Sequence, residues 1–155
     1  MNECVELAEQ AGALSSRVRA AVNMALVHLA RGAYDDAQSV VDSILPMARE
    51  RRIGLDHEPF LLACRAEAMS KIGRSREAVA VAKEAVAKAR DYGTRLWEIP
   101  ARLSLVAALR TANGRQTDIP ARELREAETL IDDIGADVFR PWLKRETDEL
   151  AALAV

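Results

Sequence analysis

Residues that stop helices recur in this chain at a fixed interval, and that interval restricts the fold more than any other feature. Gly32, Gly73 and Gly114 lie 41 residues apart, and so do Pro59, Pro100 and Pro141. A further set, Gly12, Gly54, Gly93 and Gly135, advances by 42, 39 and 42. All seven glycines of the chain belong to one set or the other. Such a period marks a repeat architecture, each repeat being one supersecondary unit that buries its apolar face on the next.

Two glycines and one proline per period describe a pair of helices. Glycine just past a helix end takes the left-handed backbone at little cost. Gly32, Gly73 and Gly114 are therefore expected to close the first helix of each pair, and Gly54, Gly93 and Gly135 the second. Proline is tolerated in a first helical turn, where its missing N–H has no partner to lose. Pro59, Pro100 and Pro141 fall where new helices should start, with Asp56 and Asp137 placed as N-caps for two of them. Between these marks the apolar spacing is helical: Ala78, Ala82, Ala85 and Ala89 form one stripe, while Lys83, Glu84, Lys88 and Arg90 fall elsewhere. Ser75 is expected to cap that helix, with Glu77 in its first turn and Arg90 in its last, as the macrodipole favours. The same logic covers Asp35 and Asp36 at one end of the preceding helix and Arg49, Arg51 and Arg52 at the other.

No segment alternates with period two, so no sheet is expected. The predicted helices are 2–11, then pairs at 16–31 and 34–52, 57–72 and 75–92, 95–112 and 119–133, and a last helix at 138–153. Pro46 conflicts with this map. Inside a helix it costs about 3 kcal/mol, so a bend or two shorter helices are expected there. The fold class is all-α. Composition agrees: half the residues are hydrophobic, yet only 4% are aromatic, which favours close-packed helices over a sandwich. A net charge of −2 provides no strongly basic surface for nucleic acid. No apolar run is long enough for a membrane span and no signal-peptide pattern opens the chain, so a soluble cytoplasmic protein is expected. Cys4 and Cys64 form no CxxC pair, which argues against a disulfide framework or a zinc site.

The segments Gly32-Ala33-Tyr34-Asp35-Asp36-Ala37 and Gly73-Arg74-Ser75-Arg76-Glu77-Ala78 resemble the mid-repeat signature of tetratricopeptide repeats: glycine, a polar turn, an acidic residue, then a small alanine. The third copy departs from it, with a longer turn Arg115-Gln116-Thr117-Asp118-Ile119-Pro120-Ala121. The resemblance implies a right-handed α-α superhelix of antiparallel helix pairs. The period exceeds the usual tetratricopeptide length and overlaps HEAT and armadillo repeats, but the glycine-to-alanine signature favours the tetratricopeptide type with lengthened second helices. The closing stretch Gly135-Ala136-Asp137-Val138-Phe139-Arg140-Pro141-Trp142-Leu143 resembles the C-terminal helical regions of bacterial multidomain regulators: class III nucleotide cyclases and the large ATP-binding, LuxR-type transcription activators related to the maltose activator.

The expected organisation is one domain: a partial repeat at 1–14, repeats at 15–54, 55–93 and 94–135, and a capping helix at 136–155. The start in mid-repeat suggests a fragment of a longer protein; the alternative is a small stand-alone chain. In the capping helix Trp142, Leu143, Leu150 and Leu153 are expected to pack inward, with Lys144, Arg145, Glu146, Asp148 and Glu149 facing water.

Catalytic patterns are not evident. His28 and His57 have no partner at metal-ligand spacing and build no triad. No phosphate loop is present, Asp35-Asp36 and Asp132-Asp133 read as solvated helix ends, and Cys64 as a small core or groove residue. Trp97 and Trp142 read as packing between repeats, or as exposed partner anchors. No cofactor or metal is expected. In the family resembled, first helices line a concave face. That register turns Arg19, Asn23 and Leu26, then Phe60, Cys64, Glu67 and Lys71, then Ala101, Ser104 and Ala108 toward the groove. The plainer alternative is that these positions contact neighbouring repeats. The Lys and Asn carboxylate clamp of some family members is absent. The expected function is a non-catalytic interaction or regulatory module with a protein or peptide partner, another domain of the same parent among the candidates. The alternatives are an inducer-sensing domain and a homodimerisation module giving a homo-oligomer; neither a membrane nor nucleic acid is an expected partner.

Overall fold

The computed structural model of the protein describes residues 2–113 and 118–153. Gly114 and the turn 115–117, assigned above from sequence, lie outside the described residues. Among the described residues the chain is all-helical, without a strand. The order is α1 (Asn2–Ala30), α2 (Tyr34–Arg51), a 3-10 turn (Leu55–His57), α3 (Glu58–Lys71), α4 (Ser75–Asp91), α5 (Arg95–Asn113), α6 (Asp118–Ile134), a second 3-10 turn (Asp137–Phe139) and α7 (Arg140–Leu153). Each helix packs on the next in sequence, and α1 on α3, α3 on α5 and α5 on α7, so the odd-numbered helices form a continuous row.

That row explains the burial pattern. α3 is covered on nearly all sides: Leu61, Leu62, Ala63, Cys64 and Ala66 are at most 1% exposed. Its apolar residues fall on several sides of the helix, so covering them needs neighbours on several sides. α5 has two buried faces. Ala101, Leu105 and Leu109 join the cluster built by α1–α4, whereas Ile99, Leu103 and Val106 join the one shared with α6 and α7. The two sets are offset by two residues, about 200° around a helix, so α5 is the joint between two cores. On α4 the buried stripe is Ala78, Ala82, Ala85 and Ala89. Small residues on that face let α4 lie close against α3 and α5.

Several local expectations are corrected. Gly12 does not divide a first helix from a second. It is exposed, nothing would crowd a side chain there, and α1 runs through it unbroken. An exposed glycine weakens a helix by about 1 kcal/mol but does not stop one. The expected boundary at 14/15 therefore lies within α1. Pro46 does not split α2 in two. Pro46 is exposed, and so is Asp42, whose carbonyl loses its helical partner, so water can satisfy that group. Pro100 sits one turn inside α5 and not in its first turn, whereas Pro59 and Pro141 do occupy first turns. Ser75 is the first helical residue and makes no capping bond. Asp56 and Asp137 lie within the 3-10 turns, where no side-chain cap forms; Asp137 instead accepts from Arg140 Nε at 2.6 Å. α2 is closed by Arg52, a non-glycine at φ 54°, whose N–H reaches the Ala48 and Arg49 carbonyls. Gly54 takes its own positive φ two residues later and opens the 3-10 turn. In α7, Leu143 and Leu150 are buried, but Leu153 is 36% exposed and Glu146 is fully buried.

Candidate functional site

α1, α3 and α7 enclose a groove of about 340 Å³. α1 contributes Leu26, Leu29 and Ala30, and α3 contributes Glu67 and Lys71. Trp142 and Arg145 come from α7, and Tyr34 from the start of α2. The helix period sets this up. Glu67 and Lys71 are one turn apart, as are Leu26 and Ala30, so each pair presents both members to the same side.

The groove rests on a chain of alternating charges. Arg145 Nη2 donates to Glu67 Oε1 at 2.9 Å and to Glu146 Oε1 at 2.9 Å. Arg110, on α5, donates to Glu146 Oε2 at 3.4 Å and pairs with Glu149. The run Glu67–Arg145–Glu146–Arg110–Glu149 thereby ties α7 to α3 and α5. Arg145 also lies over the Trp142 ring, 5.5 Å from its centroid. Burial of Glu67 raises its carboxyl above the ordinary range; Arg145 and Lys71 oppose the shift and Glu146 adds to it. Burial disfavours the charge on Arg145, but the carboxylates of Glu67 and Glu146 outweigh it and raise its pKa. Two polar atoms at the groove, Glu67 Oε2 and Trp142 Nε1, are buried without a hydrogen-bond partner.

The family register therefore places the candidates unevenly. Leu26, Glu67 and Lys71 converge on one groove. Arg19 and Asn23 are exposed on α1 but do not line it. Phe60, Cys64 and Ser104 are corrected: they are 3%, 0% and 0% exposed and belong to the core, as do Ala101 and Ala108. The odd helices pack on one another along the middle of the row, so these positions meet neighbouring helices and not a ligand. Phe60 stacks on Trp97 with ring centroids 4.7 Å apart, and Ser104 Oγ donates to the Ala101 carbonyl at 2.9 Å. Burial, with a contribution from Glu67, pushes the Cys64 thiol up to about 12, which keeps it protonated and a poor nucleophile.

Sequence reasoning missed the buried ionic clusters. Besides the run beneath the groove, Glu58 is 1% exposed and accepts from Arg49 Nε at 2.6 Å and from the Tyr92 hydroxyl at 2.8 Å. Arg49 bridges onward to Glu84 at 2.6 Å, so this arginine ties helices together as well as facing a helix C-terminus. Arg102 is 2% exposed between Glu98 and Glu123. The available signal was a charge flanked by apolar residues inside a helix, as in Ala66-Glu67-Ala68, Trp97-Glu98-Ile99 and Ala101-Arg102-Leu103.

Among the described residues, no group of three or more His, Cys, Asp and Glu side chains could hold a metal ion, and no helix is long and apolar enough to cross a membrane. Comparison with family models, with curated proteins and with solved structures found no match.

Proposed function

We propose that this chain is a tetratricopeptide-like binding module, a right-handed superhelix of helix pairs with a 41-residue period. In this reading it is a non-catalytic interaction or regulatory region of a bacterial signalling or transcription-regulatory protein. The observation that carries the reading is the α1–α3–α7 groove. Leu26, Leu29, Ala30 and Trp142 give it apolar walls, Lys71 stands exposed at its edge, and the ionic run through Glu67 and Arg145 fixes α7 against α3 and α5. A volume of about 340 Å³ accepts one or two side chains, which suits an anchor residue of a peptide segment more than a whole domain face. The anchor is apolar, against Leu26, Leu29 and Trp142, with a neighbouring carboxylate turned to Lys71.

The test is selection of binders from a random peptide library on the folded chain, followed by fluorescence anisotropy with the selected peptides. Binders enriched in an apolar residue beside an acidic one, weakened about tenfold by Leu26→Asp or Lys71→Glu, support the reading, since tenfold is the scale of one lost anchor. Binders indifferent to both substitutions refute it. The alternative of an inducer-sensing domain draws on the buried charges beneath the same groove, which would orient a small molecule. It predicts that a small ligand displaces the selected peptides.

A further inference from the structure

A second and larger cleft of about 570 Å³ opens between α4, α5 and α6. Its charged lining is Lys83 and Arg90 of α4, Arg102 of α5, and Arg122, Glu123 and Glu126 of α6. Four cations thus line it in a chain whose net charge is −2. Glu98 and Glu123 are already engaged, whereas Glu126 is half exposed and makes no hydrogen bond among the described residues. Glu98, beneath the cleft, accepts from Arg102 Nη2 at 2.7 Å and from Arg90 Nε at 3.1 Å. Glu123 accepts from Arg102, and from Arg122 Nη2 at 3.3 Å. Glu126 stands 3.8 Å from Arg102.

The cations are not used up to the same degree. Arg102 is buried and neutralised between Glu98 and Glu123, so it ties α5 to α6 and leaves anion contact to the exposed cations. Arg90 and Arg122 are 60% and 65% exposed at the side chain. Each places a single nitrogen on a carboxylate of the described residues, leaving further donors of a five-donor group. Lys83 makes no ion pair with any described residue. The remaining walls are apolar: Val86, Leu105, Leu109 and Ile119. The cleft lies within the size range of small-molecule sites, which are mostly apolar with a few placed polar groups.

We propose that this cleft binds a small amphipathic anion, its carboxylate or phosphate held by Lys83, Arg90 and Arg122 and its apolar body laid on Ile119, Val86, Leu105 and Leu109. The site is separate from the α1–α3–α7 groove and does not depend on what that groove takes. Exposed charges alone would attract any anion weakly; the apolar walls beside them add a requirement for an apolar tail.

Isothermal titration of the whole chain, below micelle concentrations, tests this with three probes of equal tail length: decanoate, decyl phosphate and the uncharged decyl glucoside. Saturable one-to-one binding of decanoate or decyl phosphate is expected, at least tenfold tighter than the glucoside. The tighter of the two anions identifies the head group. Lys83→Gln, Arg122→Gln and Ile119→Ser should each weaken the anion severalfold, whereas Lys144→Gln, on exposed α7 surface, should not. All four positions are exposed, and an unchanged circular dichroism melt verifies each fold. Equal binding of the glucoside, failure of both anions to saturate, or anion affinity unmoved by the Lys83 and Arg122 changes would overturn the proposal.

Discussion

Substituting alanine for Gly54 separates two costs that the repeat pattern makes look alike. Gly54 and Gly73 both hold positive φ, at +68° and +84°, where an added Cβ strains the backbone. That strain is about 1–2 kcal/mol at either site. Their surroundings differ. At Gly73 a Cβ would meet nothing within 4 Å. At Gly54 it would sit 3.0 Å from Val18 Cβ and Cγ1 and 3.1 Å from Cγ2. Val18 is 0% exposed and β-branched, so it has neither room nor rotamers to give way. Overpacking of this kind adds roughly 1–3 kcal/mol. Gly73→Ala should therefore cost about 1.5 kcal/mol and Gly54→Ala about 3 kcal/mol. The assay is urea unfolding followed by circular dichroism, comparing midpoints at constant slope. A double-mutant cycle with Val18→Ala removes the two Cγ contacts and keeps the Cβ one. Val18→Ala alone should destabilise by about 2 kcal/mol, yet in its presence Gly54→Ala should cost less than it does in the wild type. The coupling is then relief of up to about 1.5 kcal/mol. Equal losses at Gly54 and Gly73, or strict additivity of Val18→Ala with Gly54→Ala, would refute the reasoning.

Two further outcomes follow from Arg52 and Glu67. Arg52→Gly should raise the melting temperature slightly. It removes about 1–2 kcal/mol of left-handed strain and returns part of it through a freer unfolded chain, roughly 0.5–1 kcal/mol; a lower melting temperature would contradict this. Glu67 has a folded pKa above its ordinary 4.5, so the native state holds that proton more tightly than the unfolded chain. Its contribution is fully present below the unfolded value and is lost as pH rises through the folded one. Glu67→Gln, which cannot titrate, should therefore gain on the wild type as pH is raised from acid toward neutral. Melting temperatures of the pair measured across that range check the sign, and a gap moving the other way would show that burial does not raise the Glu67 carboxyl.

Much of the helix map was legible because helix ends are local chemistry. Gly32, Gly73, Gly93 and Gly135 all take positive φ beside a helix end, and the alanine stripe of α4 is buried as its spacing requires. The departures at Gly12 and Pro100, and the unbroken helix through Pro46, share a cause. A glycine or proline lowers the stability of a helix by an amount that tertiary packing or an exposed carbonyl can offset, so punctuation marks a bias and not an outcome. The candidate site was legible in part. Leu26, Glu67 and Lys71 meet because a register of helical turns is a property of the chain.

Depth along the row of odd helices is not such a property. Phe60, Cys64 and Ser104 share the register of the groove residues, yet they are sealed because α3 and α5 each have neighbours on both sides. The long-range pairs, Arg145 to Glu67 and Arg102 to Glu123, were likewise decided only in three dimensions. The chain by itself determined where its helices could begin and end and which residues each turned to a common side, since those follow from backbone stereochemistry and the 3.6-residue turn. Which charges are buried, which partner neutralises each, and where two clefts remain open depended on how the helices pack, because burial and ion pairing join residues far apart in sequence.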